Sequence, residues 1–334
     1  MKLCLMAAGN FNVGDNALLH SWLSALNRVL TAKDIVYVLG IEPSYIMQYS
    51  SRYRYRIAAT NVLYRYFAVC ADEAHMQRKL INLFGDVPYD EFSYELRQTK
   101  EIFTEIDLLH IIGGGIINCM WLDMQYLTMA AIELAKRNGK RVIMTGQTLG
   151  PFNKTDEERL LPYLHKVDLL DLRDDCPWLR SVGIHAQVTV DDVMAYMTSF
   201  KMPTELSSPL DRFTDNKYIT VCLQSWNLSE EDHHRYIRAK RYIGALLNEV
   251  LEEDPQMHVY FLEFMHFDGD KENNREVYDL LNESAKARCQ FITCSNFFPF
   301  DVAAFAGKAR FCITTRLHLS IFSMMFWISI IEKS

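Results

Sequence analysis

Lys2-Leu3-Cys4-Leu5-Met6-Ala7-Ala8-Gly9-Asn10-Phe11-Asn12-Val13-Gly14-Asp15-Asn16 is an apolar run, then a turn of glycine and asparagine, then the start of a helical pattern. A strand that runs into a glycine turn and a helix is the repeating unit of a parallel sheet covered on both faces. The unit recurs. Strand-like runs at 3–8, 35–39, 107–112, 141–145, 167–172 and 187–190 are separated by helical stretches such as 17–30 and 126–137. Their continuous apolar character, without alternation, predicts buried parallel strands. Six such runs predict a doubly wound domain over residues 1–198. Between the second and third lies an insertion, residues 43–106, that reads as mostly helical and is rich in Tyr and Arg.

Residues 199–216 carry two prolines, serines and charges with little periodicity, the composition of a linker. Alternation then restarts. Strands are expected at 218–223, 257–262, 290–293, 311–314 and 327–331, with helices from about 229 and near 275–287, 300–306 and 317–326. Ser229, with Asp232 three residues on, reads as a helix cap. The expected architecture is α/β: two Rossmann-like doubly wound domains, residues 1–198 and 217–334, facing a cleft. That is the plan of a glycosyltransferase-B-like protein.

Composition narrows the class. A chain of 334 residues exceeds one ordinary core, which agrees with two domains. The net charge of −7 excludes a general nucleic-acid binder, so an anionic ligand must be held by local cations. Eight cysteines are scattered without a CxxC pair, which predicts reduced thiols, a cytoplasmic protein and no structural metal. The loop His266-Phe267-Asp268-Gly269-Asp270 has too few ligands for a metal site and reads as a polar loop. Residues 311–331 are long enough to cross a bilayer, but Arg316 and His318 would be costly in lipid, so a buried strand–helix–strand is expected.

Chemistry-bearing residues fall at the predicted strand ends, where open α/β sheets hold their ligands. The first turn, with Gly14, Asp15 and Asn16, would let backbone N–H groups approach an anion, or is a plain turn with Asp15 or Asn16 capping the helix. Gly113-Gly114-Gly115, followed by Asn118, follows the third strand and suits close approach of a ligand or of packed chain. Gly146-Gln147 presents an amide after the fourth. Arg173-Asp174-Asp175 ends the fifth, and Asp191-Asp192 ends the sixth, where adjacent acids could perturb one another. Gln224-Ser225-Trp226 ends the strand at 218–223. Last comes Arg316-Leu317-His318, a cation and a titratable base directly after an apolar β-branched run.

In this order the segments resemble the polysaccharide pyruvyl transferase family over nearly the whole chain. Asn12-Val13-Gly14-Asp15-Asn16-Ala17-Leu18-Leu19 is similar to its GNxGDxAxL opening, Gly113–Asn118 to its triple-glycine turn, and Gly146-Gln147-Thr148-Leu149-Gly150-Pro151 to its GQxxGP turn. Leu172-Arg173-Asp174 matches its xRD step, Thr189-Val190-Asp191-Asp192 its TxDP strand end, and Arg316-Leu317-His318 its most specific signature.

The resemblance implies transfer of the enolpyruvyl unit of phosphoenolpyruvate to a sugar of a cell-surface polysaccharide or its precursor, forming a ketal and releasing phosphate. It implies donor binding by Arg316, Leu317 and His318 with Arg173 and Gln224, and His318, Asp15 and Asp191 as proton-transfer groups. Gly14, Asn16, Gly113, Gly114, Gly115, Asn118 and Gln147 would form the ligand-approach turns. No cofactor is expected beyond phosphoenolpyruvate as donor substrate, and the acceptor would be a sugar or lipid-linked saccharide. The alternatives are a nucleotide-sugar glycosyltransferase of the same plan or a non-catalytic relative.

Two departures stand out. Gln224 replaces an Arg common in the family, so either Arg173 or Arg310 compensates or activity is weakened. The expected strand at 327–331 is followed only by Glu332-Lys333-Ser334, so the resemblance implies a truncated C-terminal domain. In the insertion, Tyr49, Arg52, Tyr53, Arg54, Tyr55, Arg56, Tyr64, Arg65 and Tyr66 suit stacking on an acceptor sugar or contact with an anionic membrane surface at its cytoplasmic face, or are a solvated helix with Tyr as filler.

Overall fold

A computed structural model describes residues 1–7, 12–70, 72–85, 93–199, 208–214, 217–224, 230–265 and 269–331. The expectations at Gly9–Phe11, most of the linker, Ser225-Trp226, the Ser229 cap and His266–Asp268 lie outside the described residues. The chain divides into two compact units, residues 1–10 with 18–196 and residues 11–17 with 197–334.

In the first unit the strands are β1 (Lys2–Met6), β2 (Ile35–Leu39), β3 (Arg56–Thr60), β4 (Leu108–Ile111), β5 (Gly114–Ile117), β6 (Arg141–Leu149), β7 (Leu169–Leu172) and β8 (Gln187–Val188). They order as β3-β2-β1-β4-β6-β7-β8, with β5 also on β6, and every pairing is parallel. The helices are α1 (Val13–Leu26), α2 (Pro43–Gln48), α3 (Val62–Ala68), α4 (Glu73–Phe84), α5 (Ser93–Glu105), α6 (Leu122–Arg137), α7 (Lys154–Leu164), α8 (Pro177–Ser181) and α9 (Asp192–Ser199). Residues 13–17 of α1 group with the second unit. Helix α6 is buried from Met124 to Ile132, polar Gln125 and Thr128 included, because α3, α4, α5 and α7 all pack on it. A helix apolar on nearly every side needs such an enclosure.

The second unit holds β9 (Lys217–Cys222), β10 (Met257–Glu263), β11 (Cys289–Thr293) and β12 (Phe311–Thr314), all parallel in the order β11-β10-β9-β12. Its helices are α10 (Glu230–Glu253), α11 (Asp270–Asp279), α12 (Glu283–Lys286), α13 (Pro299–Lys308) and α14 (Leu317–Ile331). Val221, Val259 and Phe261 from the strands meet Leu247, Leu251 and Val277 from the helices in its core. The strand order reverses between β1 and β4 in one unit and between β9 and β12 in the other. Such reversal points are where open α/β sheets leave a crevice at their carboxyl ends.

Three expectations need correction. Residues 327–331 are the last turns of α14, not a strand, so the described second sheet has four strands rather than five. Phe326-Trp327-Ile328 carries no turn residue, and an apolar run alone does not separate strand from buried helix. The insertion contributes β3 to the sheet edge as well as helices. Exposed Arg52, Arg54 and Arg56 alternate with buried Tyr53 and Tyr55, but only Arg56 of these belongs to β3; the others lie in the segment that enters it. Finally, Gly114 and Gly115 open strand β5 rather than a free turn, with Gly114 opposite Gln147.

Candidate functional site

In the second unit the carboxyl ends of β9 and β12 are tied together. Thr315 N–H donates to the Cys222 carbonyl (3.1 Å), and Gln224 N–H donates to Thr315 Oγ1 (2.8 Å). Arg316 N–H turns back onto Thr314 Oγ1 (2.8 Å), and α14 begins at Leu317. Gln224 thus sits against the Arg316-Leu317-His318 step. Arg310 does not join it, because it precedes β12 while Arg316 follows it, about 13 Å of strand apart.

The Arg316 guanidinium turns inward. Its Nη2 lies 2.6 Å from Asp270 Oδ1, and its Nε lies 3.1 and 3.3 Å from the two carboxylate oxygens. Arg316 is 6% exposed and Asp270 0%. Asp270 Oδ2 also accepts the Phe264 N–H (2.9 Å), the Met265 N–H (3.1 Å) and the Cys222 thiol (3.6 Å). Burial pushes the Asp270 carboxyl up, opposed by the guanidinium and the two amides. Such a charge-assisted fork fixes geometry as well as charge. Sequence reasoning passed over Asp270 as part of a polar loop, and nothing in its immediate neighbours marks it otherwise.

That ion pair supports the next contact. Phe264, held through its N–H by Asp270, accepts the Val13 N–H on its carbonyl (3.1 Å), and Asn12 bridges Met265. Asn12 Oδ1 accepts the Gly14 N–H (2.8 Å), and its carbonyl accepts the Asn16 N–H (3.0 Å), which shapes the first turn of α1. A Cβ added at Gly14 would overlap the His318 imidazole. Gly14 is therefore glycine because a ring occupies the space a side chain would fill. Arg316, Asp270, residues 264–265, Asn12, Gly14 and His318 form one closed circuit. Asp15 and His318 are half-buried, Asn16 is buried, and Leu317 is 50% exposed.

The first unit has its own polar cluster. Asp192 Oδ2 accepts Trp22 Nε1–H (2.8 Å), Thr145 Oγ1–H (2.9 Å) and the Gly113 N–H (3.1 Å), while Thr145 Oγ1 lies 2.8 Å from His110 Nε2. A Cβ on Gly113 would come within 2.9 Å of the Gly146 carbonyl, and one on Gly146 (φ +57°) within 2.8 Å of the Asp192 carboxyl. These two glycines thus make room for a protein carboxylate. Burial raises the Asp192 pKa and lowers that of His110 to about 3, so the imidazole is neutral. Trp22, Thr145 and His110 carry no motif and were not singled out from sequence.

The other first-unit candidates are also engaged. Gln147 Nε2 donates to the Ile111, Ile112 and Thr145 carbonyls, stapling β4 to β6. Asn118 Nδ2 donates to the Gly115 carbonyl and its Oδ1 accepts the Met120 N–H. Arg173 Nη1 pairs with Asp191 Oδ2 (2.8 Å), and its Nε donates to Thr148 Oγ1 (2.7 Å). Its Nη2 stands 3.3 Å from where a Gly115 Cβ would be. Arg173 and Asp191 thus act together within the first unit, and Asp191 and Asp192 face different partners. A cavity of about 330 Å³ opens in the second unit between α11 and β11, lined by Glu263, Lys271, Arg275 and Phe291 among others; none of the candidate residues lines it.

Solved structures share the fold. A putative UDP-N-acetylglucosamine 2-epimerase from Listeria monocytogenes aligns with a TM-score of 0.56 at 12% identity, covering 95% of this chain and 74% of that one. S. aureus MnaA in its UDP co-structure aligns with a TM-score of 0.55 at 14% identity, with the same coverage. The fold is α/β with parallel sheets and glycosyltransferase-B-like neighbours. No curated protein matches the sequence. The model of the polysaccharide pyruvyl transferase family matches residues 12–328, and the chain belongs to that family of transferases.

Proposed function

We propose that the chain transfers the enolpyruvyl unit of phosphoenolpyruvate to two hydroxyls of a polysaccharide sugar or its lipid-linked precursor, forming a cyclic pyruvate ketal and releasing phosphate. The observation that carries this reading is the meeting of Gly14 and His318 within one unit, because the opening and the Arg-Leu-His signatures of the family converge there. The donor is a substrate, and no cofactor is invoked.

The donor carries a carboxylate and a phosphate. The first-turn N–H groups of α14, at the positive end of its helix dipole, are receptors for such anions; α1, whose Val13, Gly14 and Asn16 N–H groups bond within the protein, adds the positive end of its dipole. Arg316 adds a fixed positive charge behind them and, with two of its nitrogens on Asp270, acts mainly by holding the turn in shape. Gln224 contributes an amide at the same edge. His318 gives a proton to the donor methylene, and the first acceptor hydroxyl attacks the oxocarbenium-like carbon. Attack by the second hydroxyl then expels phosphate, which carries away that hydroxyl's proton. Asp15, one residue from Gly14 and in the same unit as His318, takes the proton of the first acceptor hydroxyl. Asp191 pairs with Arg173 in the first unit, and the pair is assigned a charge-positioning role.

The test is phosphate release from phosphoenolpyruvate by the purified protein with galactose- and mannose-type acceptors. Acceptor-dependent release that His318→Ala abolishes is expected. Release unchanged in His318→Ala would sink the assignment of His318. Thermal stabilisation by a UDP- or GDP-sugar but not by phosphoenolpyruvate would overturn the reaction in favour of glycosyl transfer.

A further inference from the structure

Between residues 28 and 60 the sequence holds five cations, Arg28, Lys33, Arg52, Arg54 and Arg56, against two acids, Asp34 and Glu42, in a chain whose net charge is −7. All five cations are exposed. Asp34 is engaged by the N-terminal amine and Thr31, and Glu42 accepts from Ser44. Two backbone hydrogen bonds gather the cations into one surface. Arg54 N–H donates to Asn27 Oδ1 (2.8 Å), beside Arg28, and Arg56 N–H donates to the Asp34 carbonyl (3.1 Å), beside Lys33. The alternation at 52–56 puts every arginine outward and Tyr53 and Tyr55 inward. Val29, 73% exposed, protrudes from the same turn as Arg28, and Met47, 44% exposed, stands a few residues before Arg52.

From this we infer that the face built by the α1–β2 turn and the segment entering edge strand β3 docks on an anionic lipid bilayer. Basic side chains bind such a surface additively within a screening length, and an apolar protrusion reaches the headgroup boundary. Single-stranded nucleic acid fits less well, because it needs exposed rings for base stacking and Tyr49, Tyr53 and Tyr55 are buried. The burial of those tyrosines also removes them as a sugar-stacking platform. The inference is independent of the reaction proposed above.

Co-sedimentation of the full chain with vesicles tests it. Vesicles of phosphatidylcholine with phosphatidylglycerol should bind the protein, vesicles of phosphatidylcholine alone should not, and added salt should release it. At about a factor of five per arginine, Arg52→Gln/Arg54→Gln/Arg56→Gln should weaken binding roughly a hundredfold. Val29→Ser should weaken it less, with the salt dependence unchanged. All of these positions are exposed, so unchanged circular dichroism and melting will show that the variants fold. Absence of binding by the natural sequence, equal binding to neutral vesicles, full binding by the triple variant, or tighter binding to single-stranded RNA than to vesicles would each overturn the inference. The arginines would then serve only to keep edge strand β3 from pairing with other chains.

Discussion

Asp192 in the first unit and Asp270 in the second are both buried carboxylates at the carboxyl ends of parallel strands, yet they are held by different chemistry. Asp192 is solvated by neutral donors: an indole, a hydroxyl and a glycine N–H. Asp270 faces a guanidinium, with two amides on its other oxygen. The first arrangement packs glycine turns against each other. The second fixes a cation and, through residues 264–265, hangs the Gly14 turn against His318. The glycines tell the same story. Gly113 and Gly146 make room for Asp192, whereas Gly14 makes room for a half-buried titratable ring, which is why the proposed functional centre is placed in the second unit.

The largest expected effect is on Asp270. Asp270→Asn leaves a buried guanidinium without its countercharge and should cost about 3–5 kcal/mol in denaturant unfolding. Asp192→Asn keeps an acceptor for neutral donors and should cost about 1–3 kcal/mol. Equal losses would break the comparison. Next, Gly14→Ala should cost about 1–3 kcal/mol through overlap with His318. The double variant Gly14→Ala/His318→Ala should recover part of that loss, a coupling of about 0.5–3 kcal/mol. Gly146→Ala, strained by its φ of +57° and by Asp192, should gain nothing from His318→Ala.

A further effect lies in the pH dependence of the first unit. His110, lowered to about 3 by burial, stays neutral in the folded state while the unfolded chain takes up a proton below about 6.5. Stability should therefore fall as pH drops from about 6.5 towards 3, because the unfolded state binds more protons there. His20, also lowered to about 3, adds in the same direction. Asp192, raised by burial, acts oppositely above the ordinary carboxylate value, so the difference between the natural sequence and His110→Gln is the quantity to read. A difference that does not change over this range would contradict a buried neutral His110.

Much of the fold was legible because long apolar strands and glycine turns are local signals. The runs at β1, β2, β4, β6 and β7 needed no tertiary information. Strand β3 carries little local signal, because Arg56–Thr60 is short and none of its residues is fully buried. The end of α14 was missed because its apolar residues fit either period. At the site, the sequence marked Gly14 and Arg316-Leu317-His318 but not their connection. Asp270 and Phe264 supply it across about 250 positions from Gly14, and no spacing rule reaches that far. Likewise, the Gly113–Gly115 turn read as an approach path for a ligand, and only the fold puts Asp192 against Gly113.

Among the described residues no helix is long and apolar enough to cross a membrane. Docking through the Arg52–Arg56 surface would be peripheral.

The most direct test of the central claim is calorimetric titration of phosphoenolpyruvate into the natural protein, Gly14→Ala and His318→Ala. Saturable binding by the natural sequence, weakened about tenfold or more in both variants while Asp192→Asn stays near the natural affinity, is expected. Binding that survives both substitutions but is lost in Asp192→Asn would contradict the assignment and move the donor site to the first unit.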